Sequence, residues 1–364
     1  MPKRGVLLFL TLPLLFVLVG CFQGEQNVKE IDVPEDVEVI EDDSSDVDEG
    51  AEDEGAKDGE VIDEEDGEDL ESAETVDREI YVFDQDGMVV PQTFALPKSD
   101  AAAMQVLEYM VKDGPVTELL PNGFQAVLPS ETDILGVNLK EDGTLIVDVS
   151  EEFKEYQADD ELRILQAMTH TLTEFKDVDK IKLWMNGYEL TEMPVNGTPI
   201  SEGYSKANGI NIMTNEQPDL LHSTALTTFL PKQYEETLYY VPVTQYYHGN
   251  EDNIFAEMVE DLVMPTGSKS QFMQVFNDGT KLLNEPSLDD GVLQLEFSED
   301  ILHEKENGVI ADEVMETLVR TLTEQEDVEA IEVTVEEQET LINETGHMYE
   351  EPVTKEDFIQ SEKM

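Results

Sequence analysis

The residues that could do chemistry are few, and their spacing does not suit it. Five histidines, His170, His222, His248, His303 and His347, include no pair at metal-ligand spacing. Cys21 is the only cysteine, so no internal disulfide forms. Thr266-Gly267-Ser268-Lys269 resembles the end of a phosphate loop but lacks the upstream glycines, and there is no nucleophile elbow. Paired carboxylates could serve a glycosidase, yet among 85 acidic residues such pairs arise by chance. Trp184 is the one tryptophan and could form a sugar-stacking platform, although burial against a neighbour is the favoured reading. The pairs Tyr239-Tyr240 and Tyr246-Tyr247 read in the same way, as interface or core. His170 falls where the chain's second half has Arg320, and reads as a surface residue. These residues point to no catalytic site, no cofactor and no metal.

What the chain does carry is a duplication. Thr171-Leu172-Thr173-Glu174, Asp177-Val178 and Ile181 return as Thr321-Leu322-Thr323-Glu324, Asp327-Val328 and Ile331, with seven of eleven positions identical at an offset of 150. That period is a domain's length, well above the 20–50 residues of a solenoid unit. Asp142-Gly143 and the strand after it match Asp290-Gly291 and its strand at offset 148. Val90-Pro91-Gln92-Thr93 matches Val241-Pro242-Val243-Thr244, and Pro199-Ile200-Ser201 resembles Pro352-Val353-Thr354. Insertions confined to loops explain the drifting offset.

The pattern within each copy predicts strands, helix, hairpin, helix, strand. Ile80–Phe83 and Met88–Val90 flank an Asp-Gln-Asp-Gly turn. Ser99 would cap a helix over 100–112 whose apolar face is Ala103, Val106, Leu107, Met110 and Val111; Phe255, Met258, Val259, Leu262 and Val263 repeat it. Leu145, Val147 and Val149 alternate on one strand face, as do Leu293, Leu295 and Phe297. A second helix from about Asp160 turns Leu165, Met168 and Leu172 inward, as Met315, Leu318 and Leu322 do later. Ile181, Leu183 and Met185, with Ile331, Val333 and Val335, close each copy. A sheet with one apolar face needs its helices on that face. The expected fold is therefore α+β: two tandem two-layer domains, helices on one face of a mostly antiparallel sheet, each complete enough to fold separately.

Before the copies, Lys3 and Arg4 precede an apolar run from Val6 to Val19, short of the roughly 20 residues that span a membrane and suited to a signal-peptide core. Leu18-Val19-Gly20-Cys21 resembles the lipobox of bacterial lipoproteins, which implies cleavage before Cys21 and lipid attachment to its thiol. Two acyl chains anchor stably. From Glu30 to Glu74 there are 24 acidic residues and one basic residue, Lys57. Such a segment cannot bury enough apolar surface to order itself, and its like charges stretch it. The net charge of −64 disfavours nucleic acid, which needs Lys and Arg clusters, and suits an exported protein of a salt-loving or alkaliphilic cell, since at about 1 M salt the Debye length is only ~3 Å.

The Asp-Gly strand block, the Thr-Leu-Thr-Glu helix end with Asp-Val, and the Pro199-Ile200-Ser201…Asn208-Gly209-Ile210-Asn211 tail resemble the GerMN-domain family, found in tandem in sporulation and germination lipoproteins of endospore-forming bacteria. The resemblance implies ring-building folds like those of secretion channels, and a place in the channel complex between mother cell and forespore. With the signal and acidic-arm readings, the chain divides into 1–20 as signal peptide, 21–77 as disordered acidic linker, 78–206 as the first domain, 207–222 as linker, 223–358 as the second domain and 359–364 as tail. The second tail lacks the Asn-Gly-Ile-Asn match. The implied protein is not an enzyme. It sits on the outer face of the cell membrane through Cys21, forms a homo-oligomer and meets other channel proteins, with the tyrosine pairs as surface contacts. An envelope enzyme or peptidoglycan binder of spore-wall remodelling is the alternative reading, and a solute-binding lipoprotein is a third.

Overall fold

The computed structural model describes residues 74–213, 223–248, 253–264 and 271–359. The signal segment, Cys21, most of the acidic arm, residues 214–222 of the linker, His222, the Thr266–Lys269 stretch and the last five residues lie outside that set. Both copies belong to one compact unit.

Each copy opens on a hairpin. Strand β1 (Thr75–Phe83) pairs antiparallel with β2 (Val89–Pro97), in register from Thr75 opposite Pro97 to Phe83 opposite Val89. The turn is made by Asp84, whose Oδ1 accepts the amides of Asp86 (2.9 Å) and Met88 (2.8 Å). A short acidic side chain that bonds its own backbone is what such a turn requires. Helix α1 (Ala102–Tyr109) is shorter than the 100–112 that the periodicity suggests, and Ser99 is not its cap. The Ser99 hydroxyl accepts the Ala101 amide (3.1 Å) in a turn just before the helix. Asp113 with φ 61°, followed by Gly114 and Pro115, then prevents continuation.

The rest of the first copy is a sheet in the order β3-β4-β5-β6: Ile134–Leu139, Thr144–Val149, Lys180–Met185 and Tyr188–Glu189. Strand β4 lies antiparallel to β3 but parallel to β5. A parallel neighbour needs a crossover, and helix α2 (Glu161–Leu172) is that crossover. The second copy repeats the plan. Its hairpin is β7 (Thr224–Tyr234) with β8 (Thr237–Tyr247), followed by α3 (Ile254–Val263). Its sheet is β9 (Ser287–Asp289), β10 (Val292–Phe297) and β11 (Ala330–Val335), crossed by α4 (Asp312–Leu322). A short α5 (Glu356–Ile359) follows. The fold is α+β, with mostly antiparallel pairs and one parallel pair per copy.

The layering is richer than helices on one sheet face. Leu165, Met168 and Leu172 of α2 are buried as their spacing demands, but so are Gln166, Thr169, His170 and Thr171. The hairpin β1–β2 covers the side of α2 that faces away from the sheet, and β7–β8 does the same for α4. That second cover is why the expected surface position of His170 is wrong. His170 is 2% exposed, and its counterpart Arg320 is buried too. The cores of the two copies also form one continuous cluster. The segment expected as linker begins inside it, with Ile210 fully buried.

Candidate functional site

His170 stacks its ring 5.3 Å from that of Tyr81, and neither ring nitrogen has a hydrogen-bond partner. Burial, reinforced by Lys206 and Lys355, lowers its pKa to about 3, so the ring stays neutral. Arg320 pairs with Glu316 (2.6 Å) and lies over the ring of Tyr240. His248, His303 and His347 are exposed on separate segments. Among the described residues, no three or more of His, Cys, Asp and Glu are grouped to hold a metal. Trp184 is half-buried on β5. The tyrosine pairs are not surface contacts: Tyr239, Tyr240 and Tyr247 are core residues, and only Tyr246 is partly exposed. Alternation on β8 would leave one of each pair outside, but Tyr240 lies beneath Arg320 of α4 on one face and Tyr247 against Asp261 of α3 on the other. Tyr247 gives its hydroxyl to Asp261 (2.9 Å) and Tyr239 gives its own to Asp84 (3.0 Å).

The repeated Thr-Leu-Thr-Glu stretch has a structural cause that is the same in both copies. The Thr171 hydroxyl accepts the amide of Tyr81 on β1 (2.9 Å), and the Thr321 hydroxyl accepts that of Phe229 on β7 (3.0 Å). Both threonines are buried, and each supplies the partner that a covered strand amide needs. Thr173 and Thr323 bond back to the carbonyls of Thr169 and Val319 at 2.8 and 2.7 Å. Val178 and Val328 are buried, and the residue after each, Asp179 or Glu329, donates its amide to the carbonyl of Gly143 or Gly291 (2.8 Å in both). The Asp-Gly turn and the helix end are thus two halves of one contact, which is why they recur together.

Glu174 and Glu324, which end these stretches, meet at the junction of the copies. Lys206 bonds both, at 2.8 and 3.2 Å, and Lys355 reaches Glu79 at 3.2 Å. Burial alone would lower the pKa of each lysine, but the glutamates outweigh it and raise both. Glu324 is raised by burial, whereas Glu174 is held low because Lys206 and Lys355 overcome its burial.

A second tie lies at the hairpin turn. Lys232 of β7 bonds Asp84 Oδ2 at 2.7 Å and Asp86 at 2.5 Å. Asp84, 1% exposed, therefore holds its own turn with one oxygen and the other copy with the second. A third tie is Asn211, in the left-handed region at φ 45°. Its amide nitrogen donates to the carbonyls of Val89 (2.7 Å) and Pro242 (2.8 Å), and its oxygen accepts the Val89 amide (3.0 Å). One side chain spans β2 and β8. Glu161 does comparable work within the first copy. Its carboxylate accepts the amides of Val195, Asn196 and Thr198 and the hydroxyls of Thr198 and Tyr156. Burial pushes its pKa up, but those donors outweigh it and the carboxyl is held low.

The sequence reading placed the end of the second copy wrongly. Val353 pairs with Ile331 as Tyr204 pairs with Ile181, so Val353 is the counterpart of Tyr204 and not of Ile200. Ser205 and Thr354 donate their amides to Asn208 (2.9 Å) and Asp357 (2.8 Å) in the same turn. Lys206 and Lys355 are therefore equivalent residues. Only the ionic pattern, a Ser or Thr before Lys and an Asn or Asp three positions on, marked this in the letters.

The arrangement is that of a duplicated α+β module whose buried polar groups are largely spent on holding its own elements and copies together. The family model described as Germane, sporulation and spore germination, matches residues 79–191 and 227–341, and the chain belongs to that family. It is 40% identical over 348 residues to the spore germination protein GerM of Bacillus subtilis (strain 168), spanning 95% of this chain and 94% of that one. The solved tandem GerMN domains of the sporulation protein GerM from Bacillus subtilis superpose with a TM-score of 0.71 at 43% identity, covering 77% of this chain and 98% of that one. A structure of the first GerMN domain of that protein covers 36% of this chain at 56% identity, with a TM-score of 0.35. The chain thus carries tandem GerMN domains.

Proposed function

We propose that this protein is a non-catalytic assembly module of sporulation, held on the outer face of the cell membrane by lipid on Cys21 and joined to the channel complex between mother cell and forespore. The observation that carries the reading is what the duplication keeps. Both copies retain their apolar faces, the Thr171 and Thr321 bonds, the Asp-Gly contacts and the Lys206 and Lys355 tails. Among the described residues they share no histidine and no nucleophile set in a cleft. Retention of shape without a shared reactive constellation is what a scaffold requires. The acidic arm then serves as an extended tether, reaching at most roughly 200 Å at about 3.4 Å per residue. The relative of known structure is named for sporulation, which supports the setting.

The test is genetic and biochemical in a sporulating host. Cys21→Ala should release the protein from membranes, and sporulation should track recovery of channel components in pull-downs. If the purified protein instead cleaves or binds peptidoglycan, and sporulation follows that activity while the complex stays intact, the assembly reading fails.

A further inference from the structure

The two copies finish their sheets differently. In the first, the chain turns at Asn186 and Gly187, at φ 50° and 82°, and β6 folds back on β5 with Tyr188 opposite Met185 and Glu189 opposite Trp184. The Leu190 amide then donates to the Leu183 carbonyl at 2.9 Å. The outer edge of that sheet is covered. In the second copy the turn after β11 closes in a similar way, with the Gln338 amide donating to the Val335 carbonyl at 3.1 Å. The chain then leaves the strand. The Ile342 amide donates to the Gly308 carbonyl (3.0 Å), the Ile310 amide to the Ile342 carbonyl (2.9 Å), and the Gln338 side chain to the Lys305 carbonyl (2.9 Å). These bonds hold 338–342 against the loop before α4 and off β11.

The consequence is an open backbone position. Ile331 exchanges two bonds with Val353, at 3.0 and 2.8 Å, on the side of β11 away from β10. Strand alternation sends the N–H and C=O of Val333 the same way, and among the described residues neither has a backbone partner there. A cavity of about 340 Å³ stands where the first copy has β6. Val333, Met348 and Tyr349 contribute its apolar lining. Glu332, Glu339, Glu350 and Glu351 also line it, and no Lys, Arg or His does.

We propose that this slot receives a short extended segment of a partner protein, an apolar or aromatic residue flanked by Lys or Arg, added antiparallel to β11. The strand edge supplies main-chain bonds and the lining supplies selectivity, as in other strand-addition sites. The first copy shows the geometry occupied, with Tyr188-Glu189-Leu190 as resident strand. The carboxylates choose among occupants. They repel the chain's own acidic arm and a second copy of a chain with net charge −64, and they attract a basic segment. The proposal rests on the assembly reading and names the chemistry of one contact within it.

Purified full-length protein should be titrated with a labelled Lys-Tyr-Lys-Val-Lys peptide and with Glu-Tyr-Glu-Val-Glu as control, with hydrogen exchange followed at single amides. The basic peptide alone should bind and slow exchange of the Val333 amide at least tenfold while leaving Leu183 unchanged. Glu339, Glu350 and Glu351 are exposed, so the E339K/E350K/E351K protein should fold and should bind the peptide at least tenfold more weakly. Binding without protection of Val333, equal binding by that variant, or protection that rises with protein concentration alone would each overturn the proposal. In cells, full recovery of channel components by the variant removes the slot as the contact and leaves the assembly role standing. Failure of the unaltered protein to recover any component removes the assembly role, and the peptide result still decides the slot.

Discussion

At the scale of single residues, the cost of burying a polar group is met by bonds at Glu161 and by neutrality at His170. With its pKa lowered to about 3 by burial first and by two lysines second, native His170 takes no proton in mild acid, whereas the unfolded residue protonates near pH 6.5. The sign follows from linkage. Above about pH 6.5 both states are neutral and the residue adds no pH dependence; below it the unfolded state binds the extra proton, and stability falls by at most roughly 1.4 kcal/mol per pH unit until the folded pKa is reached. His170→Phe keeps a ring against Tyr81 and removes the proton site along with two unpartnered nitrogens. Denaturant melts from pH 8 to 5 should show a gap between variant and parent that is constant above pH 7 and widens in the variant's favour below 6.5. Glu324, raised by burial, acts in the opposite sense but is common to both proteins and cancels in the difference. Parallel curves over the whole range would rule out a neutral buried imidazole.

At the scale of elements, apolar periodicity was enough to find the first hairpin, β4, β5, β10, β11, α2 and α4, because each presents an apolar stripe, whereas the short exposed strands β6 and β9 present none. It could not show that α2 and α4 are covered on a second side, because Gln166, Thr169, His170, Arg320 and Thr321 are polar letters whose burial depends on partners from distant strands. The Thr-Leu-Thr-Glu repeat was visible from identity alone, and its cause was not, since the bonded amides lie 90 and 92 residues away. That cause makes a prediction. Thr171→Val and Thr321→Val keep shape and volume but strand a buried amide on β1 or β7, so each should cost about 1–3 kcal/mol. Thr171→Ser and Thr321→Ser should restore part of the loss by keeping the acceptor. Chemical denaturation measures all four, and valine variants as stable as the parent would mean that these hydroxyls are incidental to the repeat. The lysine tails were missed for a different reason. Lys206 and Lys355 sit in short polar turns without periodicity, and apart from the Ser/Thr-Lys pattern their equivalence rests on the matching bridges to Ile181 and Ile331.

At the scale of the whole molecule, two kinds of electrostatics oppose each other. With 85 acidic residues against 21 basic ones, most surface charge is unpaired and self-repelling. Salt shortens the Debye length from about 10 Å at 0.1 M to about 3 Å at 1 M, so the thermal midpoint should rise with sodium chloride. A flat or falling midpoint would show that surface repulsion is not what limits stability. The pairs that join the copies range from partly exposed at Lys206 to buried at Lys232–Asp84, and the buried one answers to salt least. Lys232 is the sharpest test of them, because it is 5% exposed and its partner Asp84 1%. Lys232→Met removes the counter-charge but leaves Asp84 bound by its own turn amides and by Tyr239. The variant should therefore lose about 3–5 kcal/mol, an upper range given those remaining donors. The more telling expectation concerns cooperativity. If Asp84–Lys232, Asn211 and Lys206 make one folding unit of two copies, the parent unfolds in one transition by calorimetry and fluorescence alike. Lys232→Met should split that transition, the second copy melting first, since the first keeps Glu161 and a sheet closed by β6. Adding Asp84→Asn to Lys232→Met removes the orphaned charge and should recover part of the lost stability without restoring the single transition. A parent that already melts in two steps would mean that these ties orient the copies without coupling their stability.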